Sequence, residues 1–228
     1  MQISCRLLAV LSLGAMHLHA SSSGLNNIPT ADTAGNLLLV FQGYSTLAVG
    51  QKPNDVVAFK FGIDPWATSK WRNRFEFGVD SHYAQGDAGP GMFQFKYTTQ
   101  PDARGPAICI GIANLGATAA ERARGGEPYS YVVLTQDFHS FRLHGGYAAQ
   151  AKNNNSALLG IDKSVKIAGH VVMFRSDAIQ ISHKKDWAAS FGGITPVGKR
   201  FAFEAWVTQP TDGHNAGFTL KLNYILHL

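Results

Sequence analysis

The sequence is short of cysteine. Two occur in 228 residues, Cys5 and Cys109, and Cys5 belongs to the first twenty. Small exported domains with modest cores are usually stapled by disulfides, and a chain left with Cys109 alone can form none internally. Long apolar runs are also missing. Beyond residue 20 nothing approaches the ~20 residues of a membrane-crossing helix, so a membrane-embedded form has to be a closed barrel of strands. Basic runs are absent too. The formal charge is +5, but lysine and arginine are scattered along an exported chain, which excludes nucleic acid as a partner and leaves a generally cationic surface. The histidines show no metal-ligand spacing. The glycine-rich stretch Gly86 to Gly91 leads into a strand, whereas a phosphate loop leads into a helix. No cofactor or metal is expected, and no repeat exists beyond the alternation described below.

What is present begins with an export signal. Arg6 is followed by the apolar run Leu7 to Leu18 and by the small Ala20, ahead of Ser21-Ser22-Ser23. That order predicts a signal peptide over residues 1–20, cleaved after Ala20. Cys5 precedes the apolar run, so no lipid anchor is indicated. Residues 21–35 are small and polar, with Asn26-Asn27 and Pro29-Thr30, and read as an extended periplasmic lead-in. Residues 36–228 are the predicted barrel.

The barrel reading rests on a period of two. From Phe218 to Leu228 every second side chain is apolar (Phe218, Leu220, Leu222, Tyr224, Leu226, Leu228), alternating with Thr219, Lys221, Asn223 and His227. Such alternation is a strand with one apolar and one wet face. The same pattern predicts strands over 36–44, 56–63, 71–80, 92–98, 107–115, 129–137, 140–149, 156–162, 165–175, 187–194 and 201–208, about twelve in all. Hairpins are expected around Asp162-Lys163-Ser164 and Thr195 to Lys199. In the third strand Trp71, Asn73, Phe75, Phe77 and Val79 alternate with Arg72, Arg74, Glu76, Gly78 and Asp80. Four charges on one strand face are costly to place in a dry core, but they suit a polar lumen behind an apolar wall.

An amphipathic strand carried to Leu228 resembles the terminal strand of bacterial outer-membrane β-barrels, where it is the assembly signal. Leu220, Leu222, Tyr224, Leu226 and Leu228 are the residues that match. Gly24-Leu25 followed by Pro29-Thr30-Ala31 resembles, more faintly, the opening of exopolysaccharide-associated outer-membrane barrels. The resemblance implies an all-β fold, a single antiparallel up-and-down transmembrane β-barrel. It also implies outer-membrane localisation, with outer-membrane lipids and the barrel-assembly machinery as partners and small solutes as cargo. Connections agree: one set (64–70, 100–106, 138–139, 163–164, 195–200) is short. The other (45–55, 82–91, 116–128, 150–155, 176–186, 209–215) is longer and rich in Gly, Asn and charge, as barrels with short periplasmic turns show. Tyr44, Trp71, Tyr97, Tyr129 and Trp187 lie near strand ends, where interfacial girdles are expected.

The expected lumen face carries Lys60, Arg72, Arg74, Lys96, Arg142 and Lys221 against Glu76, Asp80 and Glu204. An excess of positive charge predicts a narrow porin-like passage with a mild preference for anions; the alternative is a network of ion pairs that plugs the barrel, which would then be a structural or surface-interaction barrel. Period alone leaves open the inside-out arrangement, a soluble exported barrel with an apolar ligand in its interior. An outer-membrane hydrolase of lipid or peptide is the other alternative. A site resembling that of lipid A deacylases needs His-x-Ser on one strand, whereas His139-Ser140, Ser182-His183 and Ser81-His82 are adjacent and point to opposite faces. Asp137-Phe138-His139 and Asp212-Gly213-His214 have the Asp-x-His spacing of omptin-like proteases, but both fall where turns are expected. A site assembled from residues distant in sequence stays open.

Overall fold

The computed structural model describes residues 24–50, 53–66, 72–84, 87–88, 91–102, 104–115, 127–150, 155–180, 186–211 and 215–228. Expectations for the signal peptide, Trp71, the 116–126 stretch, Ser182-His183, Asp212-Gly213-His214 and, within Gly86 to Gly91, Gly86, Gly89 and Pro90 fall outside these residues.

The alternating segments all become strands. They are β1 (Leu38–Ala48), β2 (Asn54–Ile63), β3 (Arg72–Ala84), β4 (Asp87–Ala88), β5 (Met92–Gln100), β6 (Ala107–Leu115) and β7 (Tyr129–Asp137). They continue as β8 (Arg142–Gln150), β9 (Ser156–Ile167), β10 (His170–Gln180), β11 (Trp187–Val197), β12 (Phe201–Pro210) and β13 (Gly217–His227). The two-residue β4 pairs only with β3. The other twelve form one antiparallel sheet, and β1 pairs with β13 from Leu38↔His227 to Ala48↔Gly217, closing it into a barrel. Closure leaves no sheet edge with unpaired backbone groups.

The faces are those of a membrane barrel. Outward side chains are apolar and exposed, with Ile110 at 54% and Phe191 at 62%, whereas inward Glu204 and Asn223 are at 1% and 0%. A soluble barrel would bury the phenylalanines and expose the charges, so the soluble apolar-ligand alternative is excluded. Connections at one rim, the turn end (64–71, 101–106, 138–141, 168–169, 198–200), are shorter on average than those at the other, the loop end.

Three expectations need correction. The β9–β10 turn is at Ala168-Gly169, and Asp162-Lys163-Ser164 lie within β9. Both turn residues have positive φ (49° and 84°), as a two-residue hairpin in step with strand twist requires. Asp162 stays in the strand because Arg142 and His144 hold it from inside. Tyr44 and Tyr129 face the lumen, not an interfacial girdle, because they share the parity of Gln42 and Tyr131, both buried. Finally, residues 24–35 do not form a lead-in outside the barrel. Their side chains and main chain bond to residues of β3, β5, β7, β8, β10, β11 and β12. A segment that reaches seven strands of a closed barrel can only be inside it.

Candidate functional site

The lumen is built around this inner segment. It leaves β1 at the turn end, where Leu37 takes a positive φ of 55° and its N–H donates to the Gly62 carbonyl. From there it rises across the barrel, and the Ala34 carbonyl oxygen passes so close to Gly62 that a Cβ there would lie 2.1 Å from it. The Ala34 N–H donates to Glu76 Oε2 at 2.6 Å, and Lys96 Nζ donates to the Thr30 carbonyl at 2.9 Å. Asp32 accepts from Arg142 Nη1 at 2.8 Å. Nearer the loop end, the Asn27 N–H and side-chain amide both donate to Asp177, and Asn26 Nδ2 donates to Ser190 Oγ. The Leu25 N–H closes a tight turn onto the Ile28 carbonyl.

Leu25 and Ile28 supply the apolar part. They are buried with Cys109, Ala113, Tyr131, Val133, Ala148 and Leu158 on β6 to β9. The small inward face of β6 leaves the space they occupy. On β9 the space is cut closer still, for a Cβ at Gly160 would sit 2.3 Å from Leu25 Cδ1.

Above and below the segment lie two vestibules. The loop-end cavity, about 660 Å³, is lined by Gly24 to Pro29 together with Tyr44, Lys60, Asp80, Gln94, Trp206 and Lys221. The turn-end cavity, about 540 Å³, is lined by Ala31 and Asp32 with Arg72, Arg74, Arg142, Asp137 and Asp162. The nine expected lumen residues thus separate into groups. Lys60, Asp80 and Lys221 face the loop-end cavity, and Arg72, Arg74 and Arg142 face the turn-end one. Glu76 and Lys96 are buried and hold the inner segment. Glu204 is buried among Arg175 Nη1 (2.8 Å), Lys221 Nζ (3.3 Å) and Asn223 Nδ2 (2.6 Å). Multiple charge-assisted hydrogen bonds of this kind are what a buried carboxylate needs to remain ionised.

Several lumen residues escaped sequence reasoning. Arg175, Asp162 and Asp177 are inward and buried, yet Asp162 was read as a turn residue. Asp32 brings one more acid in on the inner segment. One cross-strand array has the order of a hydroxyl–imidazole–carboxylate relay. Thr135 Oγ1 lies 2.9 Å from His144 Nδ1, and His144 Nε2 lies 3.1 Å from Asp162 Oδ2. Assigning the ring proton to Nε2 lets Thr135 donate to Nδ1 and accept the Ala31 N–H at 3.0 Å. Arg142 clamps the same Asp162 with Nε and Nη2 at 2.9 and 2.6 Å. With Thr135 buried and bonded to Ala31, the array acts as an anchor for the inner segment. Asp137-Phe138-His139 is a turn: the His139 N–H donates to Asp137 Oδ1 and its φ is 66°.

No protein-family model matches the chain, and no curated protein matches it by sequence. Solved structures do. A KdgM porin superposes with a TM-score of 0.56 at 8% identity, covering 82% of this chain and 99% of that one. The translocator domain of autotransporter NalP from Neisseria meningitidis superposes with a TM-score of 0.50 at 10% identity, covering 98% of each chain. The fold is that of bacterial outer-membrane barrels. At these identities the likeness is one of fold alone, and the inner segment has to be understood from its own contacts.

Proposed function

We propose that this protein is a porin-like barrel of the bacterial outer membrane, a passive passage for small solutes that its own residues 24–35 hold closed. The observation that carries the reading is the inverted polarity. Charged and hydrogen-bonded side chains fill the inside of a closed sheet whose outside is apolar, and vestibules with charged linings stand at both mouths. The apolar exterior fits outer-membrane lipid, and the outward Leu220 and Leu222 on β13 fit the role of an assembly signal read by the barrel-assembly machinery, together with Tyr224, Leu226 and Leu228. Export through a cleaved peptide over residues 1–20 belongs to the same reading.

Charge gives the passage its sign. Lys60 and Lys221 face Asp80 in one vestibule, and in the other Arg72, Arg74 and Arg142 face Asp32, Asp137 and Asp162. The turn-end vestibule is balanced and the loop-end one has one more basic than acidic group, so a mild anion preference follows from the loop end.

The test is in two steps. Protein from washed outer membranes should migrate differently with and without boiling in detergent, as a closed barrel that survives detergent does. Reconstituted in a planar bilayer, the wild-type protein should be mostly closed, and Leu25→Asp, which weakens the inner segment, should raise its open time with anions favoured. A protein found in the soluble fraction, a variant with no channel events, or a cation-selective one would each overturn the corresponding part.

A further inference from the structure

The lumen does more than hold a plug by shape. Four of its side chains bond to peptide groups of the inner segment: Glu76 to the Ala34 N–H, Lys96 to the Thr30 carbonyl, Thr135 to the Ala31 N–H and Asp177 to the Asn27 N–H. They come from four strands, β3, β5, β7 and β10, along one arc of the barrel, and every contact is to main chain that any polypeptide offers. Side chains that only fill a lumen can satisfy one another, as Arg175 and Glu204 do. These four are aimed at a guest.

Two further features select among guests. Gly160 opens a seat for Leu25 that no side chain there would permit, and Arg142, already clamped on Asp162, turns Nη1 to the carboxylate of Asp32. We propose that the lumen is a receptor site for a polypeptide segment, selective for a branched apolar residue followed seven positions later by a carboxylate. Its own segment 24–35 is the resident ligand, and a separate peptide of that pattern takes the seat when the segment is displaced. This goes beyond the channel reading and does not depend on conduction.

The experiment uses the full-length protein in detergent and a fluorescent synthetic peptide with the sequence of residues 24–36. Leu25→Asp/Ile28→Asp displaces the resident segment, and the boiling shift checks that the barrel is intact. Peptide anisotropy should show saturable binding at least about tenfold tighter than to the wild type. Adding Gly160→Leu should abolish it, and a scrambled peptide should not bind. Cys109, fully buried beside the apolar seat, reports independently. A maleimide, with the adduct located by mass spectrometry, should react with it at least about tenfold faster in the double variant, and the peptide should slow that reaction again. If the double variant loses the boiling shift, Asp32→Lys repeats the measurement with the apolar seat intact. A folded variant with reactive Cys109 but no saturable binding would overturn the proposal. So would equal binding of the scrambled peptide, or a Cys109 that stays protected in both variants. Anisotropy reads the site whether or not the barrel conducts, so a failure of the channel reading is seen separately.

Discussion

On one side of the lumen β10, β12 and β13 bring Arg175, Lys221 and Asn223 within 2.6 to 3.3 Å of Glu204. On the other, β6 to β9 offer Cys109, Ala113, Val133 and Leu158, with Gly160 beside them, and depend on Leu25 and Ile28 to cover them. The ion pairs of the first wall close without the inner segment, although Asp177 on β10 and Thr208 on β12 also bond to Asn27. The second is complete only with the inner segment in place. A polar interior can therefore be stabilised in two ways in one barrel: by charges that satisfy each other, or by small side chains that leave room for a guest. Only the second can be emptied without unfolding the sheet.

Substitutions on each wall should separate these modes. The largest effect is expected from Glu204→Ala, which strands Arg175 and Lys221 in the interior. Losing one partner of a buried ion network costs about 3–5 kcal/mol, seen as a lowered urea midpoint of the folded barrel in detergent, with Cys109 still protected until unfolding. Leu158→Ala, on the apolar wall, should cost less, about 2 kcal/mol at the low end for buried leucine, because water from the vestibules can fill the space. Gly160→Leu reverses the pattern. It should lower the urea midpoint by about 1 kcal/mol while exposing Cys109 to maleimide, since the segment yields before the sheet does; a protected Cys109 would show that the two walls do not differ. The smallest effect is expected from Asp32→Ala. Arg142 keeps its two bonds to Asp162, and losing a half-buried partner should cost under about 1 kcal/mol, detected as a modest rise in channel open time.

The charge-lined sheet was legible from the sequence because side-chain direction in a strand has a period of two. Ala107–Leu115 and Tyr129–Asp137 match the expected strands end to end, and all nine expected lumen residues have the inward parity. Tyr44 could have been placed by the same rule, since Leu39 and Phe41 on the outer face put it on the inner one; its position near a strand end outweighed its parity. The Ala168-Gly169 turn was harder to see. Asp162-Lys163-Ser164 has turn composition, and only the partners Arg142 and His144 on β8 keep it extended. Least legible was the guest. Residues 24–35 have no period, and polar segments with proline are usually outside. Their burial is fixed by residues more than a hundred positions away, such as Thr135, Arg142 and Asp177. One signal was available: Ala107, Cys109, Gly111 and Ala113 make an inward face too small to fill a barrel, so something else must fill it.

The seam between β1 and β13 has a consequence for the order of events during folding. Leu37, at the root of the inner segment, donates to Gly62 on β2 and accepts from the Leu228 N–H, so the last residues of the chain close over the point where that segment turns inward. The first strand cannot meet its partner until the whole sequence between them has been made, and contacts so distant in sequence form late. Until then the sheet is an open trough, and residues 24–35 can be laid against β3 to β12 from the side without threading through a mouth. Closing the seam then encloses the segment already laid down, so a chain that closed too early would have to fill its lumen through a mouth.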